Sequence, residues 1–324
     1  MKRNRLEEII GSFKNRRIAI VGDVMLDIFR YGPDHRLSPE EPGTVIINEE
    51  KRIEKLGGAG NVISNLASLG GEVYLFGIIG NDDYGKILER LIDDCNVKKK
   101  ILLKDTRKTT VKERIIAVRE GRKRQLIRID REDVYEINSV LAYDIIKALK
   151  NNIYELDGII LQDYSKGLLT DYLTDAIIRL ANENGVPVFV DPKDKIIKNA
   201  TIFKPNRGEL FKFSGAKDIA SGCEILYKRI NSEHLIVTAG DEGIYIFNKD
   251  GLNKIPTIAK EVVDVMGAGD TVIASLALAY TSGAGIYDSV DIANHAARVV
   301  VSKLGTATAK IDEIRKSFLE NGVI

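Results

Sequence analysis

The chain has 324 residues, of which 44% are hydrophobic and 29% are charged, and its formal net charge is +1. This length fits one large α/β domain, and the near-neutral charge argues against a dedicated nucleic-acid binder. Two cysteines and three histidines without ligand spacing exclude a disulfide framework and a zinc site. The charged amino terminus and the lack of an apolar run of about 20 residues predict a cytoplasmic protein without a membrane segment.

Short apolar runs alternate with helically periodic segments along most of the chain. The apolar runs predict buried strands at 18–22, 73–79, 158–161, 186–190, 200–203, 234–238 and 243–247. The periodic segments predict helices at 61–69, 84–94, 138–150, 171–184, 221–231, 271–281 and 288–303. This alternation predicts a three-layer α/β/α fold with a mostly parallel central sheet, which binds ligands at the carboxyl ends of its strands.

Two stretches, 43–54 and 101–130, show the alternation of strands without helical periodicity. The apolar residues that could line one face of a small sheet are Val45, Ile47, Ile115, Ala117, Leu126 and Ile129. We therefore predict a small β lid, formed by about 28–55 and 101–130, inserted in a single domain that covers residues 1–324. Because exposed lid strands need cover, we expect a homodimer through the lid.

The segment with the strongest chemical signal is 264–271. A predicted strand at 261–265 leads into Gly-Ala-Gly and then into an apolar helix. Small residues there would expose consecutive N–H groups at a helix N-terminus, a site that binds phosphate. Asp270 could accept the proton of an attacking hydroxyl as a general base. An ordinary turn with Asp270 as the helix cap explains the same residues equally well.

Three weaker signals lie at strand ends or helix starts. The glycines at 57–60 allow a ligand to approach the backbone, and Asn61 could donate to a sugar hydroxyl or simply cap the turn. Asn206 and Glu209 offer oxygen ligands for a hydrated Mg²⁺, although a capping box is the slightly favoured interpretation of this pair alone. Asp23 and Asp27 follow the first strand and could accept sugar hydroxyls or interact with a helix dipole.

The stretch 104–131 is basic, with eleven Lys or Arg residues against four acidic ones. Some of these charges must be solvated, but a subset that faces the cleft could hold an anionic group of the substrate. Aromatic residues are not interleaved with the charges, which argues against nucleic acid as the partner.

Four motifs occur in a fixed order: Gly-Gly-Ala-Gly-Asn (57–61), Gly-x-Asp-x-x-Gly (80–85), Asn-x-x-Glu (206–209) and Asp-x-x-Gly-Ala-Gly-Asp (264–270). In these motifs the chain resembles the ribokinase-like (PfkB) carbohydrate kinase family over essentially its whole length. It resembles the heptose 7-phosphate kinase branch in finer segments, which are 21–27, 31–33, 38–40, 124–130, 163–167, 191–193 and 303–306.

The resemblance implies transfer of the γ-phosphate of ATP to the anomeric hydroxyl of D-glycero-D-manno-heptose 7-phosphate. It implies ATP and Mg²⁺ as cofactors and leaves a monovalent cation open. The implied catalytic residues are the base Asp270 and an anion hole of Gly267, Ala268 and Gly269. The implied substrate contacts are Asp23, Asp27, Gly58, Asn61, Lys112, Arg114, Arg128, Asp163 and Lys166, with Lys112, Arg114 and Arg128 for the phosphate. The implied nucleotide contacts are Asn206, Arg207, Gly208, Glu209, Thr238, Gly240, Gly243 and Asn294, with Asn206 and Glu209 holding the metal through water.

Met266, His295 and Arg298 depart from the family pattern and leave the nucleotide preference open. A His-x-Gly-His nucleotidyltransferase motif is absent from the sequence, so adenylyl transfer is expected to need another protein. Three alternatives remain: a kinase of the same family for another sugar or a nucleoside, a non-catalytic nucleotide-binding regulator, and an oxidoreductase. The sequence lacks the Gly-x-Gly-x-x-Gly turn of a nicotinamide-binding domain, and its near match to a P-loop has Ile87 where Ser or Thr is needed.

Overall fold

The computed structural model describes residues 1–34, 36–95, 97–258 and 262–320. Its strands are β1 (Arg17–Gly22), β2 (Val24–Gly32), β3 (Arg36–Leu37), β4 (Val45–Ile46), β5 (Lys51–Gly58), β6 (Glu72–Gly80), β7 (Lys99–Asp105), β8 (Val111–Arg119), β9 (Arg122–Arg131), β10 (Gly158–Gln162), β11 (Val188–Asp191), β12 (Ile202–Phe203), β13 (His234–Thr238), β14 (Ile244–Asn248) and β15 (Gly251–Ile255). Its helices are α1 (Arg3–Gly11), α2 (Ala59–Ser68), α3 (Asp83–Asp93), α4 (Ser139–Lys150), α5 (Asp171–Glu183), α6 (Arg207–Ser214), α7 (Ile219–Ile230), α8 (Ala268–Thr281), α9 (Ile286–Val301) and α10 (Ile311–Glu320).

A large sheet forms the centre of the molecule. Within the described residues it has nine strands in the order β15-β14-β13-β12-β11-β10-β1-β6-β7. The pairs from β7 to β13 are parallel, and β14 and β15 at one edge run antiparallel. Parallel strands need crossover connections, which contain helices except between β11 and β12, where residues 192–201 form a connection without a helix.

Helices cover both faces of the large sheet and produce two apolar cores. Ile18 and Ile20 of β1 belong to the core shared with α1, α2, α3, α8, α9 and α10. Ala19 and Val21 belong to the core shared with α4, α5, α6 and α7. Alternate residues of a strand point to opposite faces, so the continuous apolar run of β1 serves both cores. The predicted three-layer α/β/α fold is confirmed.

A small sheet in the order β5-β2-β8-β9 lies beside the large one. The outer pairs are antiparallel and the central pair β2–β8 is parallel. Asp27 lies opposite both Lys55 and Lys112, and Arg114 lies opposite Arg128, so these side chains share one face of the small sheet. A single residue, Asp23, connects β1 of the large sheet to β2 of the small sheet.

Several predicted boundaries of the small sheet were wrong. Residues 101–105 belong to β7 at the edge of the large sheet, and the small sheet includes β2 from Val24 onward. Val45 lies in β4, which pairs with β3 in a separate two-stranded sheet. Leu126 lies at a register shift, because Ile115 pairs with Ile127 while Ile116 pairs with Gln125. Such a bulge arises when one strand carries an extra residue, and it interrupts the alternation from which the face was predicted.

The predicted strand at 261–265 was also wrong for residues 262–265, and residue 261 lies outside the described residues. The amides of Val263 and Asp264 both donate to the carbonyl of Val301, at 2.8 and 3.2 Å. The end of α9 therefore holds this segment, and its valines are more than half exposed instead of buried in a sheet. None of the helices in the described ranges is long and apolar enough to cross a membrane.

Candidate active site

The carboxyl ends of β10, β11, β12 and β13 and the start of α8 surround a cavity of about 690 Å³. This volume is typical of sites for small molecules. The lining includes Gln162, Asp163, Tyr164, Asp191, Lys193, Lys204, Asn206, Glu209, Thr238, Gly240, Gly243, Gly267, Ala268, Gly269, Asp270 and Asn294. All four predicted catalytic residues and most of the predicted nucleotide contacts therefore lie around one cavity.

Asp270 is buried in the first turn of α8, where three side chains donate to its carboxylate. Asn61 Nδ2 lies 2.7 Å from Oδ2, while the Tyr164 hydroxyl and Gln162 Nε2 lie 2.8 and 3.2 Å from Oδ1. Burial raises the pKa of Asp270 to about 7, and the hydrogen bonds from Asn61 and Tyr164 oppose that rise. A carboxyl group with a pKa near neutrality is suited to act as a general base.

Gly267 allows this arrangement because it has no side chain. It is the N-cap of α8 with φ = 79°, and a Cβ atom there would lie 2.5 Å from Asn61 Nδ2. Any larger residue would be strained and would push Asn61 away from Asp270. The amide of Ala268 donates to the Val265 carbonyl at 3.2 Å, so this member of the predicted anion hole already has a partner within the protein. The anion hole stays a prediction.

A buried ion pair lies behind the base. Lys204 Nζ is 2.9 Å from Asp191 Oδ1, and Gln162 Nε2 is 3.2 Å from Asp191 Oδ2. Burial raises the pKa of Asp191, and the charge of Lys204 opposes that rise. Sequence reasoning gave no role to Asp191, Lys204, Gln162 or Tyr164. The available signal was their position directly after buried strands, where a parallel sheet presents its functional side chains.

Asn206 and Glu209 form a capping box at the start of α6, which was the slightly favoured interpretation of this pair from the sequence. Asn206 Oδ1 accepts from the Glu209 amide at 2.9 Å, and Glu209 Oε2 accepts from the Asn206 amide at 2.8 Å. Lys193 Nζ lies 3.2 Å from Glu209 Oε1. Among the described residues, no group of three His, Cys, Asp or Glu side chains could hold a metal. The capping box engages both side chains, and their binding of Mg²⁺ through water stays a prediction.

The other predicted nucleotide contacts lie around the turn that follows β13. Thr238 pairs with Asn206 in an isolated parallel bridge. Gly243 has φ = 100°, and a Cβ atom there would lie 2.2 Å from the Ile255 carbonyl oxygen. Asn294 Nδ2 donates to the Pro256 carbonyl at 2.8 Å, which fixes the wall of the cavity next to α9.

Arg207 and Gly208 occupy the first turn of α6. The Arg207 guanidinium donates to the Ala239 carbonyl at 2.8 Å and to Glu242 at 2.5 Å. Arg207 therefore connects α6 to the turn after β13. Its binding of a nucleotide stays a prediction.

The loop 163–168 is held by two acidic side chains. Asp23 Oδ2 accepts from the amides of Tyr164 and Lys166 at 3.0 Å each, and Oδ1 accepts from the amide of Leu168 at 3.3 Å. Asp163 accepts from the amides of Ser165 and Lys193 at 2.8 and 3.2 Å. Most of the hydrogen-bonding capacity of Asp23 is used inside the protein, and its predicted contact with the sugar remains untested.

The remaining predicted sugar contacts lie where β2 and β5 meet. Asp27 pairs with Arg114 at 2.6 Å, and both side chains are buried. A Cβ atom at Gly57 would lie 2.5 Å from Asp27 Oδ2, and one at Gly58 would lie 2.5 Å from the Asp23 carbonyl oxygen. The glycines thus allow β5 to approach both acidic residues closely.

Three cations from the small sheet and the loop 163–168 lie near one another. Lys112 Nζ is 5.4 Å from the centroid of the Tyr164 ring. Burial lowers the pKa of Lys112, Asp27 opposes this, and the charges of Lys166 and Arg128 lower the pKa further. Lys166 pairs with Glu132 at 2.8 Å, and the half-exposed Arg128 pairs with Asp130 at 2.8 Å. Arg114 instead faces Asp27.

Comparison with known proteins gives the family. A family model described as pfkB family carbohydrate kinase matches residues 15–313. The chain is 41% identical over 307 residues to the bifunctional protein HldE of a Nitratiruptor species, covering 93% of this chain and 64% of that protein. It is 39% identical over 318 residues to the bifunctional protein HldE of Sulfurimonas denitrificans, covering 95% of this chain and 65% of that protein. The chain thus spans slightly less than two thirds of the length of these two relatives.

Solved structures share the fold. The ribokinase of Arabidopsis thaliana complexed with ribose and ATP aligns with a TM-score of 0.71 at 21% identity, covering 93% of this chain and 98% of that one. Phosphofructokinase-2 of Escherichia coli in complex with potassium aligns with a TM-score of 0.74 at 18% identity, covering 95% and 99%. These likenesses establish the ribokinase-like architecture. The match of the family model over residues 15–313 shows that the chain belongs to the pfkB family of carbohydrate kinases.

Proposed function

We propose that this chain transfers the γ-phosphate of ATP to the anomeric hydroxyl of D-glycero-D-manno-heptose 7-phosphate. The product would be the 1,7-bisphosphate used in nucleotide-activated heptose synthesis. The observation that carries the proposal is the cluster of Lys112, Arg128 and Lys166 beside Tyr164, whose hydroxyl contacts the buried carboxylate of Asp270. Similarity to bifunctional HldE proteins over most of the chain supports it.

The geometry favours a sugar that already carries a phosphate. Phosphate oxygens are bound by lysine and arginine, and Arg128 and Lys166 would exchange the carboxylates of Asp130 and of the partly buried Glu132 for them. Tyr164 lies between this cluster and Asp270. A substrate with a phosphate at one end and a reacting hydroxyl at the other matches that order.

The proposed chemistry is an in-line attack of the sugar hydroxyl on the γ-phosphate. Asp270 takes the proton of the hydroxyl as the new oxygen–phosphorus bond forms and the bond to ADP breaks. The amide of Gly269 at the start of α8, close to Lys204, would stabilise the charge of the phosphate, and that of Ala268 would first have to exchange its Val265 partner. Asn206 and Glu209 would hold Mg²⁺ through water, and the ion would neutralise phosphate charge. No observation assigns a site to a monovalent cation.

The small sheet is proposed to act as a lid and as a dimer interface. Strand β9 forms its edge, where Ile127 and Ile129 are 54% and 40% exposed. An exposed edge with apolar side chains is stabilised when a second copy covers it. We place the enzyme in the cytoplasm, where ATP is available.

The proposal is tested by an ADP-release assay across a panel of sugar phosphates and their dephosphorylated counterparts. We expect the highest kcat/KM with the heptose 7-phosphate, and a loss of about 100-fold or more without the 7-phosphate, because a desolvated charged contact contributes a few kcal/mol. Equal values with and without the phosphate would favour a kinase for another sugar or a nucleoside. Nucleotide binding without ADP release on any sugar would favour a regulator.

A further inference from the structure

Among the described residues, Tyr164 is the titratable side chain that donates a hydrogen bond to Asp270, and the family motifs give it no role. It lines the cavity, and its backbone is fixed because its amide donates to Asp23. Its hydroxyl lies 2.8 Å from Asp270 Oδ1. Burial and the nearby charge of Asp270 raise the pKa of Tyr164 well above its ordinary value, so the hydroxyl keeps its proton and donates it in the hydrogen bond.

The hydrogen bonds on the carboxylate distinguish its two oxygens. An ionised carboxylate offers about four lone-pair positions, two on each oxygen. Tyr164 and Gln162 both donate to Oδ1, while Asn61 alone among the described side chains donates to Oδ2. One lone pair therefore remains, on the oxygen next to Asn61 and the Gly267 turn. This is the side on which the start of α8 would receive the phosphate.

We propose that Tyr164 is a positioning residue that fixes Oδ1 of Asp270 and leaves Oδ2 to receive the proton of the sugar hydroxyl. The proposal deepens the proposed function and rests on Asp270 being the base, but it does not depend on which sugar is bound. Lys112, which lies over the same ring, would connect the substrate phosphate to the side chain that orients the base.

The hydrogen bond also controls how readily Asp270 ionises. The charged groups nearest to the base are Asp191 at the end of β11 and Lys204 after β12, and they oppose each other. Tyr164 and Asn61 both stabilise the charged carboxylate by donating to it. Removing the Tyr164 hydroxyl therefore makes Asp270 harder to ionise, and this effect has a direction that a general loss of structure would not reproduce.

The test is a Tyr164→Phe variant, which keeps the ring under Lys112 and removes only the hydroxyl. The Asp270 carboxyl carbon is followed by ¹³C NMR in protein labelled at aspartate, with its signal assigned from Asp270→Asn. We expect the titration midpoint to rise by about one pH unit and kcat at pH 7 to fall about fivefold, with recovery toward pH 9. A midpoint that stays in place or falls overturns the proposal. Tyr172→Phe, on the exposed face of α5, is the matched control and leaves the midpoint unchanged.

Two further measurements keep the proposal open to refutation. If Tyr164→Phe does not fold, 3-fluorotyrosine is incorporated at position 164 instead. Its hydroxyl is a stronger donor and should lower the titration midpoint of Asp270, and an unchanged midpoint contradicts the proposal. In a crystal structure with bound sugar, the reacting hydroxyl should contact Oδ2, and contact at Oδ1 overturns the proposal. The NMR midpoint needs no sugar, so lack of activity on the heptose 7-phosphate contradicts the proposed function without affecting this result.

Discussion

The cavity around Asp270 and the face of the small sheet that carries Lys112 present their charges differently. Around Asp270 the nearest charged groups are buried and already have partners: Asp270 has three donors and Asp191 has Lys204. On the small sheet, Asp27 and Arg114 also form a buried pair, but Arg128 is half exposed and pairs with its neighbour Asp130. From this difference we expect that the folded chain itself fixes the geometry of the chemical step, whereas recognition of the substrate depends on side chains that exchange partners.

The largest effect is expected in the cavity, from Asp270→Asn. The amide keeps the size of the side chain but cannot accept the proton, so kcat should fall roughly 10³-fold while the KM for ATP changes little. Steady-state kinetics check this, with the exposed Asp171→Asn on α5 as the control. Retention of full phosphoryl transfer would show that the base lies elsewhere and that the fixed cavity has another purpose.

A smaller and selective effect is expected on the small sheet, from Lys112→Met. If Lys112 binds the substrate phosphate, kcat/KM for the sugar phosphate should fall about 50-fold, because a charge-assisted contact is lost. Activity on the unphosphorylated sugar should change less than about threefold.

Lys123→Met is the matched control for that experiment. Lys123 also lies over a tyrosine ring, that of Tyr31, at 5.3 Å, but it is exposed near the β8–β9 turn. We expect it to leave both activities unchanged. Equal losses on both substrates in Lys112→Met would assign that residue to the structure of the small sheet instead of to phosphate recognition.

The smallest effect concerns stability and the buried side of α9. His295 stacks on Phe318 with ring centroids 3.5 Å apart, and its Nδ1 lies 2.7 Å from the Ser317 hydroxyl. Burial, assisted by the charge of Arg298, lowers the pKa of His295 to about 4. The unfolded chain binds a proton near pH 6.5 and the folded protein does not, so stability is complete above pH 6.5 and declines as the pH falls toward 4.

Chemical denaturation at pH 7 and pH 5 measures this decline. His295→Gln should reduce the difference in the free energy of unfolding between the two pH values by about 1–2 kcal/mol. An unchanged difference would mean that other groups cause the acid sensitivity.

The sequence predicted seven of the nine described strands of the large sheet, because these are apolar runs between amphipathic segments, and it missed the edge strands β7 and β15. Strand β1, for example, was expected at 18–22 and spans Arg17–Gly22. It did not predict β2, because that strand is buried along most of its length and carries the charged Asp27 and Arg30. Nor did it predict α6, whose short sequence has little amphipathic periodicity.

The candidate site was predicted in part. The motif order brought Asp270, Asn61 and the glycine turn together, and the structure places them in contact. The contact of Asp270 with Tyr164 joins residues 106 positions apart, and that with Gln162 joins residues 108 positions apart. No local pattern signals such pairs, because they depend on how strand ends meet across the sheet.

The one-residue connection between the two sheets has a mechanical consequence. Asp23 follows β1 directly and precedes β2, so it is the shortest of the connections about which the small sheet could rotate toward the large one. The carboxylate of Asp23 accepts hydrogen bonds from three backbone amides of the loop that carries Tyr164. The residue at this connection therefore also holds the loop that carries Tyr164. A rotation of the small sheet about Asp23 could close it over a sugar and leave the hydrogen bond from Tyr164 to Asp270 in place.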